Sequence, residues 1–473
     1  MLEVLDKKSW TPAAAAHLLN RAGFGGTPAE IAGLHALGLE GAVDRLLNAG
    51  DDADLFPEPP AADPAELLAL RDQLRGKAEP EKQEIQRQMR QIGQRQMQGL
   101  RSWWLNRMRW SPFAAREKAV LFWHGHWATS VEKVREPFAM WQQNETLRAF
   151  AFGNFAEMAR EISRDPAMMR YLDVNQSNKG RPNENFAREL MELFTLGEGN
   201  YTEKDIQEAA RAFTGYKMNP RSGQFIFAKR QNDDGEKTFF GKTGKFTGDD
   251  IIGMIVADPR CPAYMARKLW TFYASENPSP DLVAALSGRY RASGMNTGAL
   301  LRTIFLSREF YDPSVVRRQI KGPVQWLVQT CRVLEVPLPA EETSDGILRQ
   351  LGQMPFAPPN VKGWDGGKAW ISSASLLLRY NLAGFIVSGK ASALQGIGGG
   401  QAGALKVPLD KLIPPGMPPE AACDALGFRL FQAGLPEPLK EKFLTYLRTH
   451  GTGAPARRDL LHLMMSTPDY QLT

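Results

Sequence analysis

The chain has 473 residues, 43% of them hydrophobic and 23% charged, and 58 basic against 52 acidic side chains leave a net charge of +6. A chain this long buries a large core without covalent staples, and so mild a basic excess does not by itself imply a nucleic-acid partner. The three cysteines, Cys261, Cys331 and Cys423, are far apart and odd in number, which argues against a disulfide framework or a cysteine-built zinc site.

The start, MLEVLDKKSWTPAAAAHLLN, has no apolar core after a basic region and does not read as a signal peptide. The expectation is a cytoplasmic chain as given, or an exported one whose leader was removed or whose export a partner assists. No stretch reaches the roughly 18 apolar residues of a membrane span. Residues 10–48 read as two helices, the first with Thr11 as N-cap, Pro12 at the first helical position and an end at Gly25–Gly26. Residues 50–64 form a Pro- and Asp-rich loop. Residues 81–110 read as one long helix, with apolar residues at Ile85, Met89, Ile92, Leu100, Trp104 and Met108, and with Gly93 and Gly99 weakening it.

Helical patterns continue through 112–172. Residues 216–247 read as a β-hairpin insertion turning at Asp234–Gly235. Helices resume at 248–312 and 316–335. The stretch 352–374 is irregular and rich in Pro, Gly and Trp, a helix follows near 375–388, and IGGGQAGA within 391–405 reads as a flexible linker. The fold class is therefore mainly α: one large helical domain, 1–390, with a small hairpin insertion, then a linker and a small helical tail, 391–473.

Four constellations could carry chemistry. In LFWHGHWATS, His124 and His126 lie two apart among aromatics. In an extended segment their rings would point the same way and could share a divalent metal, whereas on a regular helix they diverge. Either they act as ligands or acid–base groups, or they are semi-buried and bonded to backbone carbonyls. In NENFARELMELF, Asn185, Arg188, Glu189 and Glu192 share one helical face and Phe186, Leu190, Leu193 and Phe194 the other. Asn183 stands at the entry. That polar face is either a cleft or a salt-bridged surface. In YLDVNQSNKGRPNE, Asp173, Asn175, Ser177 and Glu184 match positions 1, 3, 5 and 12 of a calcium loop, but Asn178 replaces the expected Gly and Pro182 interrupts the frame. Trp103, Trp104 and Trp110 interleave with Arg101, Arg107 and Arg109. The apolar spacing makes the tryptophans mainly core and the arginines a solvated face, so no nucleic-acid partner is expected. Phosphate-loop, nucleophile-elbow, H-E-x-x-H and dinucleotide motifs are absent.

Seven stretches are familiar as an ordered set: HLLNRAGFG at 17–25, FWHGHWATS at 122–130, YLDVNQSNKGRPNENFARELMELFTLG at 171–197, YTEKDIQEAARAFTGY at 201–216, DGEKTFFG at 234–241, ARKLWTFY at 266–273, and GQMPFAPPNVKGWDGGKAWISSASLLLRYN at 352–381. Over roughly residues 10–390 the chain resembles the bacterial family catalogued as domain of unknown function 1800. The resemblance implies a helical fold and supplies no mechanism. It also implies a protein partner encoded nearby, in a family with an alkaline-phosphatase-like look and an export signal. The chain departs from the resemblance at Phe194, where ELMELHTLG would place His. A metal site built on His124 and His126 would lose that ligand.

Two functions follow as expectations. The first is an enzyme, hydrolase- or lyase-like, acting on an acidic or glycan-type substrate in a polar cleft of His124, His126, Asn183, Asn185, Arg188 and Glu189. A histidine would be the acid–base group, Arg188 would neutralise a substrate anion, Glu189 would tune the histidine, and an asparagine would bond developing charge. Glu192, Trp364 and Trp370 would line the binding surface. The second is a non-catalytic helical scaffold or binding protein that partners the exported neighbour, its motif residues forming packing networks.

Overall fold

Thr11 accepts a hydrogen bond from the Ala14 N–H at 3.2 Å and Pro12 opens the first helix, Pro12–Ala22, as the sequence predicts. In the computed structural model, which describes residues 2–48, 50, 52–219, 222–389, 405–432 and 434–473, this is one of 23 α-helices. Capping boxes at Thr27, Thr202, Thr247 and Ser372 start four of the others. Three helices instead of two occupy 10–48: Pro12–Ala22, Pro28–Ala36 and Gly38–Leu47. None of the helices among the described residues is long and apolar enough to cross a membrane.

The helix Glu79–Trp110 runs unbroken for 32 residues. Its glycines do not break it. A Cβ on Gly99 would come 3.3 Å from Cδ of Pro60, so the missing side chain lets the neighbouring 3-10 turn Pro60–Ala62 lie close. The arginines of this helix correct the expectation of a solvated face, because Arg101, Arg107 and Arg109 are buried. Arg101 forks onto Asp345 at 2.5–2.9 Å, and Arg107 joins Asp52 at 2.5 Å and Glu117 at 3.3 Å. Trp104 is core, Trp103 half-buried and Trp110 exposed.

The β insertion also differs. Tyr216–Met218 pairs antiparallel with Phe225–Phe227, and Lys237–Phe239 pairs with Lys242–Gly244, giving two separate hairpins. Asp234–Gly235 lies between them and is not a hairpin turn. Asp233 there receives the Gly235 N–H at 2.9 Å and binds Arg211 at 2.8 Å. The helix Glu341–Leu351 went unassigned in the sequence. All of the expected linker except Leu405 falls outside the described residues. The tail helix Ala454–Met465 packs on Ser373–Ser388, and Leu472 bridges Ile320. The fold class is mainly α, with the strands among the described residues confined to the two small hairpins.

Candidate functional site

The helix Ala114–His126 carries both histidines in its last turn, so their rings diverge. His124, 1% exposed, sits against Trp104, Phe356 and Trp364 at centroid distances of 5.0–5.8 Å. Its Nε2 accepts the Phe356 N–H at 2.9 Å. Burial pushes its pKa down to about 3, so the ring is neutral. His126, 3% exposed, lies among Phe122, Trp123, Trp127, Phe155 and Phe194. Its Nε2 is 3.0 Å from the Phe194 carbonyl, which can only accept, so Nε2 carries the proton and Nδ1 keeps a lone pair without a partner. Burial, with the nearby Lys268 charge, holds His126 well below the usual imidazole range.

The 183–192 side chains occupy a different surface. Asn183 caps the helix Glu184–Glu189: its Oδ1 accepts the Asn185 N–H at 2.9 Å and its Nδ2 donates to the Asp173 carbonyl at 3.0 Å. Asn185 is exposed. Arg188 forks onto Glu203 with two bonds of 2.8 Å and reaches Glu184 at 3.4 Å. Glu192 accepts the Tyr201 hydroxyl at 2.6 Å. Burial and then the Glu192 charge raise the pKa of Glu189, which Arg188 and then Lys362 partly offset.

The backbone of the same motif does reach the histidine segment. Residues Leu190–Thr195 form a π-helix, which frees carbonyls from the α pattern. The Leu193 carbonyl accepts from the Tyr264 hydroxyl at 2.7 Å and lies 3.4 Å from Lys268 Nζ, while the Phe194 carbonyl serves His126. The motif thus meets His126 back to back, through carbonyls, with its polar side chains turned outward.

Behind His126 opens a cavity of about 760 Å³. Its lining includes Lys118, Phe122, Gly125 and His126 from one helix, and Arg267, Lys268, Thr271 and Phe272 from the helix Arg260–Tyr273. The loop 362–370 supplies Lys362, Trp364, Asp365, Lys368 and Trp370. Asn183, Asn185, Arg188, Glu189 and Glu192 are not among its lining residues, and His124 reaches the loop only through Trp364. Two glycines hold the loop in place. A Cβ on Gly363 (φ +83°) would lie 2.3 Å from the Gly125 carbonyl, and one on Gly367 (φ +53°) 2.1 Å from Glu276 Oε1.

Basic side chains outnumber the carboxylates of Glu276 and Asp365 in the cavity lining. Among the described residues, none of Lys118, Arg267, Lys268, Lys321, Lys362 and Lys368 has a carboxylate of the chain within 4.0 Å. Lys118, 8% exposed, bonds Gln325 Oε1 and lies over the rings of Phe24 and Phe272 at 5.1 and 5.2 Å. Lys321, 1% exposed, donates to the Tyr470 carbonyl at 2.7 Å and sits 4.0 Å from that ring's centre. Burial lowers all three inner amines, Lys268 to about 8 and Lys118 and Lys321 well below the usual lysine range.

A family model described as Protein of unknown function (DUF1800) matches residues 17–472. The chain belongs to the DUF1800 family. The match takes in the helical tail, which the resemblance seen in the sequence, ending near 390, left out. No curated protein and no solved structure matches this DUF1800 chain. Its FWHGHWATS, ARKLWTFY and PPNVKGWDGGKAW motifs meet around this cavity. Phe194, where the resemblance expects His, sets its ring 5.9 Å from His126 and 4.8 Å from Trp127, so an apolar ring stands where an imidazole would have faced His126.

No three His, Cys, Asp or Glu side chains gather as metal ligands among the described residues of this DUF1800 chain. The calcium-like frame is occupied by protein partners: Asp173 binds Lys133 at 2.7 Å, Ser177 Oγ accepts the Asn183 N–H at 3.0 Å, and Glu184 faces Arg188. The cavity lysines were missed in the sequence, yet a signal was there. Lys118, Phe122 and His126, and likewise Tyr264, Lys268 and Phe272, fall four apart on one helix face. In each case a lysine sits in register with an apolar stripe, and the two stripes touch where Phe122 meets Phe272 at 5.2 Å.

Proposed function

We propose that this chain recognises an acidic, sugar-sized ligand in the cavity walled by the 362–370 loop. One observation carries the reading: six basic side chains surround a hollow of about 760 Å³ that Glu276 and Asp365 also line, and among the described residues none of the six has a carboxylate at ion-pair distance. Buried cations without counter-charge are costly, and a ligand anion supplies what is missing. The volume lies within the range of small-molecule sites, on the order of 300–1,000 Å³. The half-buried Trp364 and Trp370 offer flat apolar faces to a sugar ring.

Burial favours the neutral amine at Lys118, Lys268 and Lys321, so an arriving anion draws protons in with it. The same property supports hydrolase- or lyase-like turnover. Lys268, pushed down to about 8, can give or take a proton near neutral pH, beside an imidazole that stays neutral. For His124 and the 183–192 side chains, the observed partners favour the non-catalytic reading: a boxed, bonded imidazole and a paired surface stripe.

Titration calorimetry with an acidic oligosaccharide and a neutral one of equal length tests the proposal. Saturable binding of the acidic ligand alone is expected, weakening with salt and taking up protons. Equal binding of the neutral sugar, or binding of neither, would sink it.

A further inference from the structure

We infer that the cavity receives the end of an acidic saccharide chain, inserted anion first, and does not grip the chain along its length. This rests on the anion-binding reading above. The argument is the depth ordering of the cations. Lys118 and Lys321 are buried, and both are tied to one corner of the cavity: Lys118 bonds Gln325, which follows Lys321 by four residues. Lys362, Lys368 and Arg267 are exposed and belong to the rim. Half-exposed Lys268 lies between.

The corner is stitched by backbone bonds. The Gln319 N–H meets the Thr473 carbonyl at 3.3 Å, the Thr473 N–H meets the Gln319 carbonyl at 2.8 Å, and the Lys321 N–H meets the Gln471 carbonyl at 2.8 Å. Gln325 is itself held by the Asn20 carbonyl at 3.3 Å and Gln329 at 2.8 Å. A chain crossing the protein surface could touch the rim cations but would leave Lys118 and Lys321 without counter-charge. A terminus inserted into the cavity would reach them. The half-buried Trp364 and Trp370 share the loop of the exposed Lys362 and Lys368 and would take the following, less charged ring faces.

The test is binding stoichiometry against chain length, by calorimetry on the full chain with size-fractionated oligogalacturonates and, as a separate arm, sulfated dextran fragments. The expected result is a constant number of proteins per chain, at most two, whatever the length, in whichever arm binds. Lys118→Met should weaken binding at least tenfold, while Lys368→Met at the rim weakens it by less than threefold. Because Lys118 is a buried amine with no carboxylate partner, its replacement by Met should leave the melting temperature unchanged or higher, which keeps the variant informative. Stoichiometry rising in proportion to length, or equal losses in the two variants, overturns end-on binding and leaves the anion site standing. Failure of both ligand series to bind at any length overturns the anion reading itself.

Discussion

Two buried charge clusters in this protein are built on opposite plans. Around Glu117, which is fully buried, Arg148 binds with bonds of 2.8 and 2.9 Å, Arg107 approaches at 3.3 Å and the Trp104 indole N–H donates at 3.0 Å. Asp52 completes the cluster by taking Arg107, Arg116 and the Ser111 hydroxyl, each at 2.5 Å. Although burial alone would raise it, the surrounding guanidinium groups hold the Glu117 carboxyl below its usual range. The cavity amines have no such partners, and burial acts on them unopposed by any carboxylate. Charge that serves architecture comes with its counter-charge in the chain. Charge that lacks one is, on the proposed reading, left for a ligand to match.

The largest effect expected from breaking this contrast is at Glu117. Glu117→Gln leaves three buried or half-buried guanidinium groups short of a partner, and removing one member of a buried pair costs about 3–5 kcal/mol. Denaturant unfolding should register that loss, and a variant as stable as the parent would refute the architectural role. Next comes Lys321→Met. It should leave stability unchanged or raised but weaken acidic-ligand binding at least tenfold, about 1.4 kcal/mol by calorimetry. Loss of stability without loss of binding would reverse the assignment of the two clusters.

Acid should separate the clusters further. Buried neutral His17, His124 and His126 have folded pKa values below the unfolded 6.5, the first two at about 3. Below pH 6.5 the unfolded state therefore binds more protons, so stability is complete above that pH and falls as pH drops toward 3. The melting temperature should decline over that window. Lys268 works at the other end. Its amine is fully protonated in the unfolded chain up to about 10 but only below about 8 in the fold, so the gain in melting temperature from a bound anion should shrink as pH rises past 8. The smallest effect belongs to the outer stripe. Arg188→Ala breaks a pair at the surface, where ion pairs contribute about 0–1 kcal/mol, and ligand affinity should stay within twofold.

Much of the fold was legible because its signals are local. Thr11–Pro12 announced a helix start, and the spacing of Ile85, Ile92, Leu100 and Trp104 announced the long helix. What failed was long-range. Nothing near Arg101 says that Asp345 will meet it, so the arginines of that helix read as solvated. Strand pairing failed for the same reason, since Phe225–Phe227 chose the upstream Tyr216–Met218 over the run after Asp234–Gly235. The candidate site was half legible. His126, Trp364 and Trp370 do line the cavity, but the lysines that give it its charge looked like ordinary helix residues until two distant helices faced each other.

The wide turn at Leu190–Thr195 has a consequence for how such a chain tolerates change. A turn of this kind holds one residue more than the α spiral around it. Deleting a single residue there would restore ordinary α winding, in which carbonyls point along the axis to N–H groups of their own helix. The carbonyls of Leu193 and Phe194 would swing away, stranding an imidazole, an ammonium and a phenol on the neighbouring helices at once. Three groups from two helices thus depend on the residue count of a segment whose side chains never enter the hollow they border.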